Sequence, residues 1–298
     1  MNTAVSHRAG FAALVGRPNV GKSSLLNAFV GAHLGAVSAK PHTTRQRLLG
    51  VRTFDSSQIA FVDTPGIQKR RPTAVHKAMD RAVDQAVAEV DLIALVVEAG
   101  IWKPGDEAAL AHAQETGLPI ALIINKIDLL KDKTKLLPFI DKVGKLHDFA
   151  VVLMVSARRE QGTEDACQRL AALLPEREPL FEADTLTDRS ERHLAGEFVR
   201  EQLMRQLGNE VPYACAVEVE AFELVGQLRR IAATIWVERD GQKAIVIGEG
   251  GERLKQIGSA ARMQMEKLFG GRVHIEIWVK VRADWSDNER SLRQLGFD

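Results

Sequence analysis

Eight residues near the start of the chain form its clearest chemical pattern, and the apolar run 11–15 directly precedes them. They read Gly-Arg-Pro-Asn-Val-Gly-Lys-Ser and match the phosphate-binding loop G-x-x-x-x-G-K-[ST]. In such a loop backbone N–H groups surround the phosphates, the lysine reaches the outer phosphates and the last hydroxyl binds Mg²⁺. A helix that begins near Gly21 would add its positive dipole end. The pattern predicts a nucleoside triphosphate site made by Gly16, Arg17, Pro18, Asn19, Val20, Gly21, Lys22 and Ser23.

The identity of the base is indicated by Asn125-Lys-Ile-Asp128, which follows the apolar run 119–124. The carboxylate of Asp128 can accept hydrogen bonds from the ring N–H and the exocyclic amine of guanine. Adenine presents neither donor there, so a buried, unpaired Asp128 would penalise ATP. The run 151–155 leads into Ser156-Ala157, which is placed to touch guanine O6 from the backbone. The predicted base-binding residues are Asn125, Lys126, Asp128, Ser156 and Ala157.

A third polar group, Asp63-Thr64-Pro65-Gly66, follows the strand-like run 58–62. We expect Asp63 to hold Mg²⁺ through water and the Gly66 N–H to bond the terminal phosphate. The polar segment between the first and third groups offers a second hydroxyl ligand for the metal, and we choose Thr44 over Thr43. No catalytic side chain is assigned. The predicted switch I segment comprises His42, Thr43, Thr44 and Arg45.

The motifs GRPNVGKS, HTTR, DTPG, NKID and SA, in this order and spacing, resemble the translation-factor-related class of P-loop GTPases. The resemblance covers residues 10 to about 175 and is greatest to the Era family, within the TrmE-Era-EngA-like group. It implies hydrolysis of GTP to GDP and phosphate, with Mg²⁺ bound by Ser23 and Thr44. Ile67 occupies the position where other GTPases carry a glutamine that orients water, so we expect slow hydrolysis without an activator. Asn19 suggests K⁺ as a second ion, as in resembling GTPases with this asparagine; the alternative is an asparagine that only stabilises the turn.

The composition is that of an ordinary globular protein. The chain has 298 residues, 45% of them hydrophobic, which leaves room for two domains. Its two cysteines, Cys167 and Cys215, make neither a disulfide framework nor a metal cluster, as expected of buried thiols in a reducing cytoplasm. The first residues lack an apolar signal core, and no apolar stretch approaches the roughly 20 residues that cross a bilayer. We therefore expect a cytoplasmic protein.

The second half of the chain contains the glycine-rich turn Gly248-Glu-Gly-Gly251. An I-G-x-x-G sequence that leads into a helix resembles the bacterial KH RNA-binding domain, whose turn packs against the backbone of about four nucleotides. The residues alone would make 244–247 a strand, whereas the KH pattern makes it a helix. The other predicted elements are a helix at 190–207, strands at 213–222 and 229–238, a helix at 251–269 and a strand at 273–281.

In the first half short apolar strands alternate with helical runs, which indicates a mostly parallel sheet. The last of these helices has Thr163 as its expected cap and Pro175 as its expected stop. An acidic segment with two prolines follows. The predicted organisation is an N-terminal tail at 1–9, an α/β P-loop GTPase domain with helices on both faces of the sheet at 10–178, a linker at 179–190 and an α+β type II KH domain at 191–298.

The charge distribution does not by itself indicate RNA. Residues 1–178 carry 23 Lys+Arg against 19 Asp+Glu, whereas residues 179–298 carry 17 against 20. The variable turn positions of KH domains usually include a basic residue, but here they are Glu249 and Gly250. RNA binding would therefore need a local basic cluster beside an apolar groove; the alternative for these basic residues is a solvated helix surface. The predicted RNA-binding residues are Lys243, Gly248, Glu249, Gly250, Gly251, Arg253 and Lys255, with Arg262 and Arg272 as further members of the cluster.

The two halves together resemble the Era family over nearly the whole chain. The resemblance implies a GTP-binding and GTP-hydrolysing switch that binds the 3′ end of 16S ribosomal RNA, assists assembly and maturation of the small ribosomal subunit and couples it to cell growth. It also implies peripheral contact with the inner membrane, and we expect a monomer. Two other classes stay open: a metabolic P-loop kinase, which has no use for N-K-x-D, and a guanine-nucleotide interaction switch without an RNA target, which needs no KH half.

Overall fold

The computed structural model describes residues 7–38, 40, 43–44, 47–66, 89–130, 132–208, 210–283 and 285. The predictions made for His42, Arg45 and Ile67 lie outside these residues. Contacts between Cα atoms divide the chain into two compact units, of which the first holds most residues up to 188 and the second those from 189 onward.

The first unit is built on a six-stranded sheet with the order β2-β3-β1-β4-β5-β6. All neighbouring strands are parallel except β2, which runs antiparallel to β3. The inner strands are continuous apolar runs because both of their faces are buried. The strands are β1 (Arg8–Val15), β2 (Leu48–Phe54), β3 (Ser57–Asp63), β4 (Leu92–Glu98), β5 (Ile120–Asn125) and β6 (Val151–Met154).

Helices cover both faces of this sheet. The helices are α1 (Lys22–Val30), α2 (Pro104–Gln114), α3 (Leu136–Gly144) and α4 (Thr163–Ala171), with short 3-10 turns at Ile127–Leu129 and Lys133–Lys135. Buried residues of α2 and α3 share one core cluster with the sheet, whereas α1 packs against β2, β3 and α4. Phe29 of α1 stacks on Phe61 of β3 with ring centroids 4.7 Å apart. The predicted fold class, a mostly parallel sheet between two helical layers, is confirmed.

Helix α4 begins differently from the prediction. Gly162 is its N-cap and Thr163 is its first residue. The Thr163 hydroxyl donates a hydrogen bond to the backbone oxygen of Glu160 at 2.9 Å, so it satisfies the preceding turn instead of capping the helix. The helix ends at Ala171, before Pro175.

The segment predicted as a linker makes regular contacts with the first unit. The buried Gln58 side chain accepts from the backbone N–H groups of Leu180 and Phe181, both at 2.8 Å, and donates to the Phe181 oxygen at 2.9 Å. The backbone N–H of Val51 donates to the Leu186 oxygen at 2.8 Å. Residues 180–186 therefore cover the edge formed by β2 and β3. The domain bounds drawn from the sequence stay a prediction.

The second unit has the predicted order of helix, two strands, two helices and strand. Its elements are α5 (Glu191–Gln206), β7 (Cys215–Val225), β8 (Leu228–Val237), α6 (Asp240–Ile247), α7 (Glu252–Phe269) and β9 (Arg272–Val281), with 3-10 turns at Val211–Ala214 and Glu249–Gly251. Strand β8 lies between β7, to which it is antiparallel, and β9, to which it is parallel. Residues 244–247 are helical, as the KH pattern implies. Tyr213 lies in a 3-10 turn with Pro212, so the first strand begins later than predicted.

Within the described residues, no helix is both long and apolar enough to cross a bilayer.

Candidate functional site

The predicted phosphate loop joins β1 to α1, at the edge where the carboxyl ends of the parallel strands meet. This edge is where open α/β sheets bind ligands. The Nζ of Lys22 is buried and donates to the backbone oxygens of Gly16 and Arg17, at 2.9 and 3.2 Å. Burial lowers the pKa of Lys22 to about 8, although the negative charge of Asp63 opposes the shift. The loop thus holds an ammonium group inside its own curve, where it can serve phosphate oxygens.

Other predicted motifs lie close against this loop. Gly21 is the N-cap of α1 with φ 99°, and a Cβ atom there would lie 2.5 Å from the Asn125 amide nitrogen. A Cβ atom on Gly66 would lie 2.7 Å from the backbone nitrogen of Pro18. The structure therefore brings Gly66 and Asn125 against opposite parts of the phosphate loop.

Three side-chain oxygens converge at the start of α1. The hydroxyl of Ser23 donates to Asp63 Oδ2 at 2.6 Å, and Thr44 Oγ1 lies 2.7 Å from the Ser23 oxygen and 3.0 Å from the same carboxylate oxygen. Thr43 bonds elsewhere, donating to the Lys40 backbone oxygen at 2.8 Å. Burial raises the pKa of Asp63, while Lys22 and the two hydroxyls oppose the shift. Hydroxyl and carboxylate oxygens are the hard ligands that suit Mg²⁺, so this donor set fits the predicted ion.

The predicted base-reading loop is tied together by Asn125. Its amide nitrogen donates to the Val20 oxygen at 2.9 Å, and its amide oxygen accepts from the backbone N–H groups of Lys126 and Ala157, at 2.8 and 3.0 Å. Asp128 accepts from the Ser156 hydroxyl at 2.6 Å. The structure thus brings the N-K-x-D and Ser-Ala motifs together beside the phosphate loop.

Two acidic residues of this region were not predicted from the sequence. Glu98, the last residue of β4, accepts from Arg17 Nη2 at 3.0 Å and from Lys126 Nζ at 3.1 Å through the same oxygen, Oε2. Asp106, in the first turn of α2, accepts from Arg17 Nε at 3.0 Å. Glu98 could have been found from the sequence because it is the first charged residue after the apolar run 92–97, at a strand end.

In the second unit, the glycine-rich turn joins α6 to α7. Gly248, Gly250 and Gly251 all have positive φ, of 73°, 57° and 79°. A Cβ atom on Gly248 would lie 2.7 Å from Cβ of Arg253, whereas no atom within 4 Å would meet one on Gly250 or Gly251. Glu249 is exposed. Gly248 is required by packing, and the next two glycines leave open space above the turn that a sugar-phosphate backbone can approach.

A groove of about 540 Å³ runs beside this turn, between α7 and β9. Among the described residues, Lys243 and Arg253 are outside its lining; Arg253 Nη1 donates to the Ile245 oxygen at 2.8 Å and so ties α7 to α6. Arg272 lines a neighbouring depression together with Arg262. The groove residues are Gly251, Leu254, Lys255, Gly258, Ser259, Arg262, His274, Ile275 and Ile277. The last three residues were predicted only as part of a strand, although their positions in that strand could have suggested a groove wall.

Family models match both halves of the chain. A model described as a 50S ribosome-binding GTPase matches residues 11–126, and a KH domain model matches residues 210–286.

Curated relatives match over the full length. GTPase Era of Stenotrophomonas maltophilia (strain R551-3) is 51% identical over 298 residues, covering 100% of both chains. GTPase Era of Xanthomonas oryzae pv. oryzae (strain MAFF 311018) is 52% identical over 296 residues, covering 99% of both.

Two solved structures extend the likeness to the tertiary level. An Era variant of Aquifex aeolicus bound to GDP·AlF4⁻ is 36% identical with a TM-score of 0.93, and the match covers 97% of this chain and 99% of that one. Era in complex with MgGDPNP and nucleotides 1506–1542 of 16S ribosomal RNA is 35% identical with a TM-score of 0.93, covering 98% and 99%. With the guanine-nucleotide motifs gathered at one sheet edge and a KH domain following them in the chain, this chain belongs to the Era family of GTPases.

Proposed function

We propose that this GTPase binds the 3′ end of 16S ribosomal RNA through its KH groove, assists assembly and maturation of the small ribosomal subunit and couples it to cell growth. The observation that carries the proposal is the solved Era bound to MgGDPNP and to nucleotides 1506–1542 of that RNA, which matches 98% of this chain with a TM-score of 0.93. The open glycine turn and its adjoining groove support the same partner, because KH domains bind single-stranded RNA in such a place.

The first unit supplies the nucleotide chemistry. Lys22 and the N–H groups at the start of α1 would bind the phosphates, Asp128 would pair with the two guanine donors, and Asn125 would position both loops. Ser23 and Thr44 would hold Mg²⁺, with Asp63 binding through water. When bound, the ion neutralises charge on the phosphate oxygens. The 2.6 to 3.0 Å separations among these three oxygens support this assignment.

A K⁺ ion is part of the proposal. Asn19 is an exposed residue of the phosphate loop with φ 66°. A monovalent cation there would neutralise charge that develops during hydrolysis; the alternative is that Asn19 serves the turn alone. Single-turnover hydrolysis should be faster in KCl than in NaCl, and Asn19→Ala should remove the difference. Equal rates in both salts would leave only the turn-stabilising role.

The RNA partner is tested by crosslinking the full chain to cellular RNA with and without a non-hydrolysable GTP analogue. We expect the 3′ end of 16S ribosomal RNA to be enriched, and the enrichment to be lost when Gly250 and Gly251 are replaced by aspartate. The exposed Glu249 favours the other candidate, a guanine-nucleotide switch without an RNA target. RNA recovery no greater than that of the aspartate variant would support that candidate.

We place this activity in the cytoplasm, with a fraction of the protein in peripheral contact with the inner membrane and the protein itself monomeric. These statements rest on membership of the family alone. Fractionation of cells followed by a high-salt wash would test them, because a peripheral fraction is released by salt. Light scattering of the purified chain would test the monomer.

A further inference from the structure

A compact group of four charged side chains lies behind the phosphate loop. Two are cations, Arg17 of the phosphate loop and Lys126 of the base-reading loop, and two are the anions Glu98 and Asp106. Asp106 is fully buried, and the side chains of Arg17 and Glu98 are only 12% and 19% exposed. At this burial the pairs are poorly screened by solvent and salt.

Glu98 is the shared partner of this group. Its Oε2 accepts from Arg17 Nη2 at 3.0 Å and from Lys126 Nζ at 3.1 Å. Burial opposes ionisation, but the hydrogen bonds from Lys126 and Arg17 hold the pKa of Glu98 below its ordinary value. One negative oxygen therefore joins two cations that would repel each other without it.

Both cations are anchored a second time. Arg17 Nε donates to Asp106 Oδ2 at 3.0 Å, and that oxygen also accepts from the backbone N–H of Lys103 at 2.9 Å. Lys126 Nζ donates to the backbone oxygen of Asn19 at 2.6 Å. Arg17 is thus linked directly to Glu98 at the end of β4, and Asn19 is linked to Glu98 through the side chain of Lys126.

We propose that Glu98 is a positioning residue that sets the spacing between the phosphate loop and the base-reading loop, so that affinity for guanine nucleotides depends on a side chain outside both motifs. The phosphate loop must match the phosphates while the base-reading loop matches guanine. A small error in their separation weakens both sets of contacts at once. Because GDP and GTP share the base and the inner phosphates, loss of Glu98 should affect both.

The test is the rate at which a fluorescent GDP analogue, and separately a non-hydrolysable fluorescent GTP analogue, dissociates from the full chain. Glu98→Gln keeps the shape but removes the charge, so we expect dissociation of both to be about tenfold faster, as for loss of hydrogen bonds to a charged group. Glu98→Asp keeps the charge on a shorter side chain and should give an intermediate rate. The combined Arg17→Gln and Glu98→Gln variant should show less than the product of the two single effects, because the residues share a contact.

The matched control is Glu164→Gln, which removes the ion pair between Arg52 of β2 and Glu164 of α4, 3.1 Å apart in the same unit. It should leave both dissociation rates within about twofold of wild type, the effect expected of an exposed pair. If Glu98→Gln does not fold, Arg17→Lys replaces it, since lysine keeps the loop charge but lacks the separate Nε and Nη2 donors that bond Asp106 and Glu98. Dissociation from the Glu98 or Arg17 variant no faster than from the control, or strictly multiplicative effects in the double variant, would overturn the proposal.

Discussion

Asn125 shows how a single side chain can hold separate loops in place. It is 1% exposed. Its amide oxygen accepts from the N–H of Ala157, and its amide nitrogen donates to the oxygen of Val20. Such pairing fixes which way the amide faces. Asn125 therefore ties the loop that carries Asp128 to the loop that carries Lys22.

Replacing Asp128 by asparagine should shift the preference from guanine to xanthine nucleotides, because the amide offers a donor where xanthine has an oxygen. A site built to pair with particular donors rejects a mismatched base strongly, so we expect a change in relative affinity of about a hundredfold or more. Competition titrations with GTP and XTP measure it. Asp132→Asn, at an exposed carboxylate in the following turn that pairs with Thr134, is the control and should change nothing. An unaltered preference for GTP in the Asp128 variant would remove the assignment.

Binding of MgGDP should take up a proton at Lys22 at mildly alkaline pH. Burial lowers the pKa of Lys22 to about 8 in the free protein, and the phosphates, being negative, raise it again on binding. A group with a pKa near 8 is partly deprotonated at pH 8.5, so we expect uptake of a fraction of a proton there and less uptake at pH 7. Calorimetric titrations in two buffers with different ionisation enthalpies measure the uptake. Equal heats in both buffers at pH 8.5 would contradict a titrating Lys22.

Removing the two hydroxyls should have different consequences for the two nucleotide states. Ser23→Ala should weaken Mg²⁺-dependent binding of both GDP and a GTP analogue, by about tenfold, the effect of one hydrogen bond or ligand contact. Thr44→Ala should weaken only the GTP analogue. Thr43→Ala is the matched control, because the Thr43 hydroxyl bonds to Lys40 instead of joining the oxygen cluster. The measurement is nucleotide affinity at increasing Mg²⁺ concentration. A loss of affinity in Thr43→Ala in place of Thr44→Ala would reverse the choice of threonine as metal ligand.

Helix α7 of the KH half divides its surface between packing and binding. Ile257, Ala261 and Met265 recur at four-residue spacing on α7 and are fully buried. Lys255 and Arg262 lie on a different face of the same helix, which lines the groove. The periodicity that fixes the helix on the sheet therefore also decides which basic residues reach the groove.

Replacing Gly250 and Gly251 together by aspartate should abolish RNA binding, because carboxylates would add bulk and like charge where the RNA backbone must approach. Both positions have positive φ, so some loss of stability is expected as well. The same positions changed to asparagine carry similar bulk and strain without charge. Gel-shift titrations with single-stranded RNA of the 16S 3′ end, compared with thermal melts, separate the two effects.

The opposite change at the same turn is Glu249→Lys. It should raise the affinity for RNA and make that affinity depend more steeply on salt, as one added phosphate contact does. GTP hydrolysis by each of these variants should stay near wild type. If the aspartate pair binds RNA as tightly as the asparagine pair, the turn does not contact the phosphates.

The first unit is completed by residues that the sequence suggested as a connector. Residues 180–186 bond to Gln58 and to β2, and Phe181 packs edge-on against Phe11 with ring centroids 6.1 Å apart. Gln58 is 1% exposed, so its amide depends on these partners. The contact division between residues 188 and 189 agrees with this packing.

A fragment of residues 1–188 should therefore be more stable than one of residues 1–178. The shorter fragment leaves the buried Gln58 amide without its backbone partners and exposes Phe11, so we expect a free energy of unfolding lower by about 3 kcal/mol. Urea unfolding of both fragments in saturating GDP measures the difference. Phe181→Ala in the longer fragment should give an intermediate value. Equal urea midpoints for the two fragments would show that residues 179–188 serve only as a connector.

Much of the fold and of the nucleotide site followed from the sequence because their chemistry is local. A phosphate loop needs its glycines, lysine and hydroxyl in one contiguous turn, and each motif directly follows an apolar strand. Parallel strands then bring these ends together without further information. The helical state of residues 244–247 is different, since the residues alone suggested a strand and only the KH pattern indicated the helix.

Which side chains meet across strands depends on the tertiary structure. The pairing of Glu98 with Arg17 and Lys126 depends on β4 lying between β1 and β5, and no local pattern encodes that neighbourhood. The same holds for Arg253, which bonds to the Ile245 carbonyl instead of facing the groove. Sequence periodicity fixes the face on which a side chain lies. Its partner depends on strand order and packing distance, which are properties of the folded chain.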